Sequence, residues 1–185
     1  LRHQFEDHGA QVAIVWDKTA DVLADFPRDV RPRKIVSVDL TRAMRLGTRL
    51  ALRLPLARAR ASREAMTAQA KAKGVIRWDA LVSGAKLSKR MPRPALGDTA
   101  LLQYTSGTTR ELPEAVKHTH RSLVTLMFAA LYGTGIRPGD EFFCPSSPAW
   151  GHGLWHGTLA PLGLGVTTGT FAGRFDPVRL MKALD

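Results

Sequence analysis

The residues best suited to chemistry lie directly after Tyr104, where Thr105, Ser106, Thr108 and Thr109 place four hydroxyls around Gly107. A loop of this kind can turn hydroxyls and backbone N–H groups toward one anion. Gly107 admits turn geometries that a Cβ hinders and lets the backbone come close to a ligand. Phosphate oxygens suit such donors, because charge-assisted hydrogen bonds are the strong ones. The Walker pattern GxxxxGK[ST] is absent, so this is not that phosphate loop. Residue type alone leaves a second reading open: turns rich in Ser, Thr and Gly are common after strands, and most bind nothing.

Other reactive groups carry less. His152 and His156 stand at i, i+4, which puts two imidazoles on one face of a helix. That spacing suits a metal, but no third ligand and no HExxH glutamate accompany them. A solvent-facing histidine beside a packed aromatic is the alternative. His118 and His120 sit at an expected helix start, with Thr119 or Ser122 as N-cap, and neither has an evident carboxylate partner. Cys144 follows Phe142 and Phe143, a setting for a buried, inert thiol. As the single cysteine it excludes an intramolecular disulfide and fits a reducing compartment.

Short apolar strands interleaved with helices must position these groups. The pattern predicts a helix over 1–8 ended by Gly9, strands over 11–16 and 34–38, and a helix over 17–26 broken by Pro27. Residues 41–73 read as helical in two pieces interrupted at Pro55, and 83–97 as a connecting loop. A strand over 100–104 runs into the hydroxyl loop. A polar turn with Pro113 then leads to a helix over about 122–132, apolar almost all round and hence expected to be buried. A strand over 141–144, a helix near 154–162, a strand over 165–170 and a helix from Pro177 complete the chain. The fold class expected is α/β, a mostly parallel sheet with flanking helices.

The segment Leu102-Gln103-Tyr104-Thr105-Ser106-Gly107-Thr108-Thr109, followed by Lys117-His118-Thr119-His120-Arg121-Ser122-Leu123, resembles the signature of adenylate-forming enzymes. That superfamily includes AMP-forming acyl-CoA synthetases, luciferases and peptide-synthetase adenylation domains. The stretches 1–16 and 34–63 are similar to the region ahead of this loop in bacterial long-chain fatty-acid CoA ligases. Residues 145–157 resemble the acyl-pocket segment of several acyl-CoA synthetases. The resemblance implies that residues 1–185 form an incomplete N-terminal AMP-binding domain, lacking the mobile C-terminal domain. It implies that Thr105, Ser106, Gly107, Thr108 and Thr109 hold the ATP phosphates, and that Trp150 and His152 line the acyl pocket. Its cofactors would be ATP, Mg²⁺ and CoA. Its reaction would activate a carboxylic acid, expected to be fatty, to an acyl-adenylate and then to acyl-CoA. The family's Mg²⁺ carboxylate belongs to a later motif, so no metal ligand and no catalytic residue is assigned here. The chain by itself is expected to be inactive.

One departure stands out. The usual continuation is Thr-Gly-x-Pro-Lys-Gly, whereas this chain reads Thr109-Arg110-Glu111-Leu112-Pro113-Glu114-Ala115. The loop lysine is absent, and two acids would repel a triphosphate unless they face solvent. Arg110 or Lys117 restores positive charge.

Composition agrees with a folded protein: 185 residues, 44% hydrophobic, with a formal net charge of +11. Such a balance favours anionic partners. Between Thr41 and Arg77 there are eight arginines, two lysines and one acid, Glu64. That stretch is either a solvated face or a surface for peripheral contact with anionic membrane. No apolar run is long enough to span a bilayer, and the start at Leu1 has no signal-peptide pattern. The expected location is cytoplasmic, with membrane association as a further option. A non-catalytic basic module for nucleic acid or membrane, or a degenerate adenylate-forming homologue, is the alternative to a ligase. Nucleic acid is not the partner expected.

Overall fold

Gly9 closes the first helix in the left-handed region (φ 57°), its amide donating to the Phe5 carbonyl at 3.0 Å. A Cβ makes that conformation costly, and glycine adopts it freely. The computed structural model describes residues 1–184 apart from 69, 87, 89, 106–111 and 171–175. The chain divides into two compact units, Leu1–Arg90 and Met91–Asp185.

In the first unit, helix α1 (Arg2–His8) is followed by strand β1 (Val12–Trp16), helix α2 (Asp17–Ala24) and strand β2 (Lys34–Val38). A 3-10 turn (Leu40–Ala43), helices α3 (Leu46–Ala51) and α4 (Ala57–Met66), strand β3 (Ile76–Arg77) and helix α5 (Trp78–Gly84) complete it. The order β1-β2-β3 is parallel throughout. Phe5, Ala13, Ala20, Leu23, Val30 and Ile35 form the core, so α1 and α2 pack against the side chains that alternate inward from β1 and β2. Two carboxylates on consecutive turns of α2 hold the returning chain. Asp17 accepts from the Thr67 hydroxyl and, at 3.0 Å, from the Ala68 amide. Asp21 accepts from the amides of Lys71 and Ala72, each at 2.9 Å.

The second unit opens with an antiparallel hairpin of β4 (Thr99–Tyr104) and β5 (Ala115–Thr119), in which Tyr104 pairs with Ala115 and Gln103 with Val116. Helix α6 (His120–Ala129) follows at once and continues as a π-turn (Ala130–Thr134) that ends at Gly135, φ 83°. Strand β6 (Glu141–Cys144) leads to a second long helix, made of α7 (Gly151–Leu154), a π-turn (Trp155–Leu159) and α8 (Ala160–Gly163). Strand β7 (Thr167–Thr170) pairs parallel with β6, and α9 (Pro177–Leu184) ends the unit. Ala130, Ile136, Ala160 and Val166 form its core.

The parallel sheets and flanking helices match the expected α/β class, with the β4–β5 hairpin as the antiparallel exception. Several finer expectations are corrected. The segment after Thr109, expected as a polar turn up to Ser122, contains strand β5. Its alternation of Val116 and His118 with Lys117 and Thr119 is short, and pairing with β4 is what makes it a strand. Helix α6, expected to be buried, has no buried residue, and Phe128 and Tyr132 beyond it are exposed. Its apolar composition defines no single stripe, and β4, β5 and α8 pack against it. Strand β3 and helix α5 occupy a region left unassigned or read as loop. The break at Pro55 holds: α3 and α4 flank it, as the missing N–H of proline requires.

Candidate functional site

The hydroxyl loop is the connection of the β4–β5 hairpin. At its neck the Thr105 amide donates to the Glu114 carbonyl at 2.9 Å, one step beyond the Tyr104–Ala115 pair. Thr105 is exposed, as is Glu114. Ser106, Gly107, Thr108, Thr109, Arg110 and Glu111 lie outside the described residues. The geometry therefore fixes where the loop starts and returns: at the carboxyl end of β4 and the amino end of β5, with α6 beginning at the far end of β5.

Beneath this neck the hairpin meets the helix that begins at Gly151. Gln103 Oε1 on β4 accepts from Trp155 Nε1 at 2.7 Å. His118 on β5 sets its ring edge-on to Trp155, with centroids 4.4 Å apart and planes at 67°. An ideal Cβ on Gly151 would stand 3.0 Å from Gln103 Nε2, so a glycine there lets the helix start close to the strand. Trp155 thus touches both strands of the hairpin. It opens the π-turn of its helix, a local widening often found at functional sites.

Trp150 is the residue preceding this helix. Its amide donates to the Ser147 carbonyl at 3.0 Å, and its side chain is 67% exposed. His152, on the first turn, is exposed and stacks on His156 with centroids 5.0 Å apart. The i, i+4 pair is therefore brought together, and His156 Nδ1 is buried without a hydrogen-bond partner among the described residues. No group of three or more His, Cys, Asp or Glu able to hold a metal occurs among the described residues. Gly153 is buried, with an ideal Cβ only 2.1 Å from the Ser147 carbonyl oxygen, and Gly157 packs on Cys144. Those glycines set how closely the helix approaches the 145–150 loop and β6. Sequence reasoning singled out Trp150 and His152 but gave no role to Gln103 or Trp155. The signal available for them was one glutamine before the loop and one indole inside the following helix, and neither announces a contact across 52 positions.

The first unit carries a cavity of about 380 Å³ at the carboxyl ends of its parallel strands, lined by Asp17, Ser37, Asp39, Arg42, Arg77 and Asp79 among others. Asp79 pairs with Arg77, and Arg42 stands 3.7 Å from both Asp39 and Asp79. The hydrogen bond from Arg77 holds the Asp79 carboxyl below its ordinary range. None of these residues carries a signal in the sequence beyond its place at or near the end of a strand.

Comparison with known proteins gives four findings. The family model for AMP-binding enzymes matches residues 1–185. A 3-hydroxybenzoate–CoA ligase of Aromatoleum sp. (strain CIB) is 36% identical over 88 residues, covering 48% of this chain and 17% of that protein. A 3-hydroxybenzoate–CoA/4-hydroxybenzoate–CoA ligase of Thauera aromatica is 32% identical over 113 residues, covering 61% of this chain and 21% of that protein. The crystal structure of the anthranilate CoA ligase AuaEII with anthranoyl-AMP superposes at a TM-score of 0.65 and 17% identity, over 94% of this chain and 28% of that one. That likeness speaks to the fold. The alignments with the two curated relatives span only 17% and 21% of their lengths.

Proposed function

The chain belongs to the AMP-binding enzyme family, and from that premise we propose that the protein carrying it is an AMP-forming acid–CoA ligase, with residues 1–185 as part of its N-terminal AMP-binding domain. In this reading a carboxylate oxygen attacks the α-phosphorus of ATP, the bond to the β-phosphate bridge breaks, and pyrophosphate leaves. The CoA thiol, losing its proton, then attacks the acyl carbon; a C–S bond forms and AMP departs. The acid needs no general base, because a carboxylate is ionised at neutral pH. The developing phosphoryl charge needs donors and positioning. Thr105, Ser106, Gly107, Thr108 and Thr109 are assigned to the phosphates. Mg²⁺ supplies charge neutralisation when bound, but the described residues offer no ligand set for it.

The observation that carries this reading is the hairpin neck. Thr105 and Glu114 pair at the end of β4, at the two ends of the connection that carries the hydroxyl residues in sequence. The helix bearing His152 lies against the same strand through Trp155 and Gln103. Trp150 and His152 are accordingly assigned to the acid pocket. The curated relatives named for hydroxybenzoates favour a small aromatic acid; the resemblance of 1–16 and 34–63 to fatty-acid CoA ligases is the ground for a fatty one. The deciding experiment is acid-dependent pyrophosphate release from ATP by the protein carrying this chain, tested with 3-hydroxybenzoate, octanoate and palmitate. Release with the aromatic acid, lost in Ser106→Ala and Thr108→Ala, is expected. Release with none of the three would leave a degenerate homologue.

A peripheral contact with anionic membrane is proposed for residues 41–77. It is supported by leucines that face outward beside arginines: Leu46 is 68% and Leu50 54% exposed. Among the described residues no helix is long and apolar enough to cross a membrane. A cytoplasmic location goes with this reading.

A further inference from the structure

Trp155 and Gln103 join two segments that the proposed reaction must bring into register, and neither belongs to the residues assigned to phosphate or acid. Gln103 stands two positions before Thr105 on the strand that delivers the hydroxyl loop. Trp155 stands three positions after His152 on the helix that delivers the acid pocket. The 2.7 Å bond between their side chains is partly buried, where it is stronger than in water and less easily replaced by it. His118, packed edge-on against the same indole, ties in the second strand of the hairpin. Gly151 lacks the Cβ that would stand 3.0 Å from Gln103 Nε2, so the amide has the space to reach Trp155 beside the helix start. With the indole against both strands, the hairpin cannot tilt relative to this helix without breaking that part-buried hydrogen bond.

We infer that Trp155, through Gln103 and His118, is a positioning residue that sets the phosphate loop relative to the acid pocket. This rests on the reading above. Its effect is on geometry at the reacting atoms, so it belongs in the turnover of bound reactants more than in the capture of ATP. Misplacement by about 1 Å costs up to about a hundredfold in rate when two reactants must be aligned.

The test uses the protein carrying this chain. Trp155→Phe keeps an aromatic ring beside His118 and removes the N–H donor; Gln103→Met keeps length and removes the acceptor. Each is expected to lower kcat for acid-dependent pyrophosphate release roughly tenfold, with KM for ATP within about twofold, and the double variant is expected to be no worse than either single one. Unchanged kcat in both single variants, or losses that multiply in the double variant, would overturn the inference. Should a variant fail to fold, the indole N–H resonance of Trp155 in the unaltered protein decides. It is expected to move when ATP alone is added. ATP that binds without moving it overturns the positioning role and leaves the ligase reading standing. ATP that does not bind overturns both.

Discussion

The Thr105 amide donates to the Glu114 carbonyl at 2.9 Å, so the first hydroxyl residue of the loop and the acid that breaks the family pattern face each other across one hairpin neck. Glu114 is exposed at the end of the same connection that is assigned to a triphosphate. The loop lacks the lysine of the usual continuation, and in the proposed reading Arg110 or Lys117 restores the positive charge.

Replacing Glu114 with lysine should therefore tighten ATP. A charge change near a polyanion in high dielectric is worth about 1 kcal/mol at contact distance, which predicts a roughly fivefold lower KM for ATP. The gain should shrink between low salt and about 0.5 M salt, as the Debye length contracts. Steady-state kinetics at two ionic strengths check this. A Glu114→Lys protein with unaltered KM at low salt would place the triphosphate away from the neck.

Two glycines of the 151–163 helix predict unequal costs for the same added methyl. At Gly153 the new Cβ would meet backbone atoms, the Ser147 carbonyl oxygen at 2.1 Å and the Ser146 carbonyl oxygen at 2.6 Å. Those atoms cannot step aside without moving the 145–150 loop, so Gly153→Ala should destabilise by about 3 kcal/mol. At Gly163 the nearest atom is Met127 Sδ, at 2.4 Å, the movable part of a flexible side chain. Gly163→Ala should cost less than about 1 kcal/mol. Denaturant unfolding of the two variants side by side tests the difference, and equal losses would contradict it.

How much of this was open to sequence reasoning follows from what each feature depends on. Gly9, Pro27 and Pro55 act through their own backbone constraints, so the ends of α1 and α2 and the break between α3 and α4 were legible. The strands β1, β2, β4 and β6 were legible as short apolar runs. β5 was hidden because Lys117 and His118 obscure its pattern and only pairing with β4 defines it. The exposed side of α6 was hidden because a helix apolar almost all round has no clear face until neighbours choose one. The hydroxyl loop was legible as a motif. The contact between Gln103 and Trp155 was not, because no local rule links residues 52 positions apart.

The pH dependence of the first unit has a defined sign. The amides of Ala72 and Lys71 hold the Asp21 carboxyl below its ordinary range, and the hydrogen bond from Arg77 does the same for Asp79. Each is thus more readily ionised folded than unfolded. The stabilisation is fully present above the unfolded value, near ~3.9, and is lost as pH falls through the lower folded value. The unfolding midpoint should decline on acidification below about pH 4, with a shallower decline in Asp21→Asn. A parallel acid limb in that variant would show that Asp21 does not hold residues 71 and 72.

The exposed stretch 45–54, which includes α3, separates a membrane partner from any other polyanion. Arg45, Arg49 and Arg53 recur every four residues, and Leu46, Leu50 and Leu54 follow each by one, with all three leucines exposed. A basic side chain near an anionic bilayer contributes about 1 kcal/mol. Exchanging the three arginines for glutamine should therefore weaken binding to vesicles of phosphatidylglycerol and phosphatidylcholine roughly a hundredfold. A nucleic acid would respond to that change in the same direction, since phosphate contacts dominate there. The leucines decide between them. Burial of a leucine in the interfacial region contributes about 1.5–3 kcal/mol, and a phosphate backbone offers no such burial. Leu50→Asp should thus weaken vesicle binding well beyond the effect of its charge, while binding to single-stranded DNA changes only by the electrostatic amount. Vesicle cosedimentation set beside DNA binding by fluorescence anisotropy measures both arms. Equal sensitivity of the two to Leu50→Asp would return this face to water.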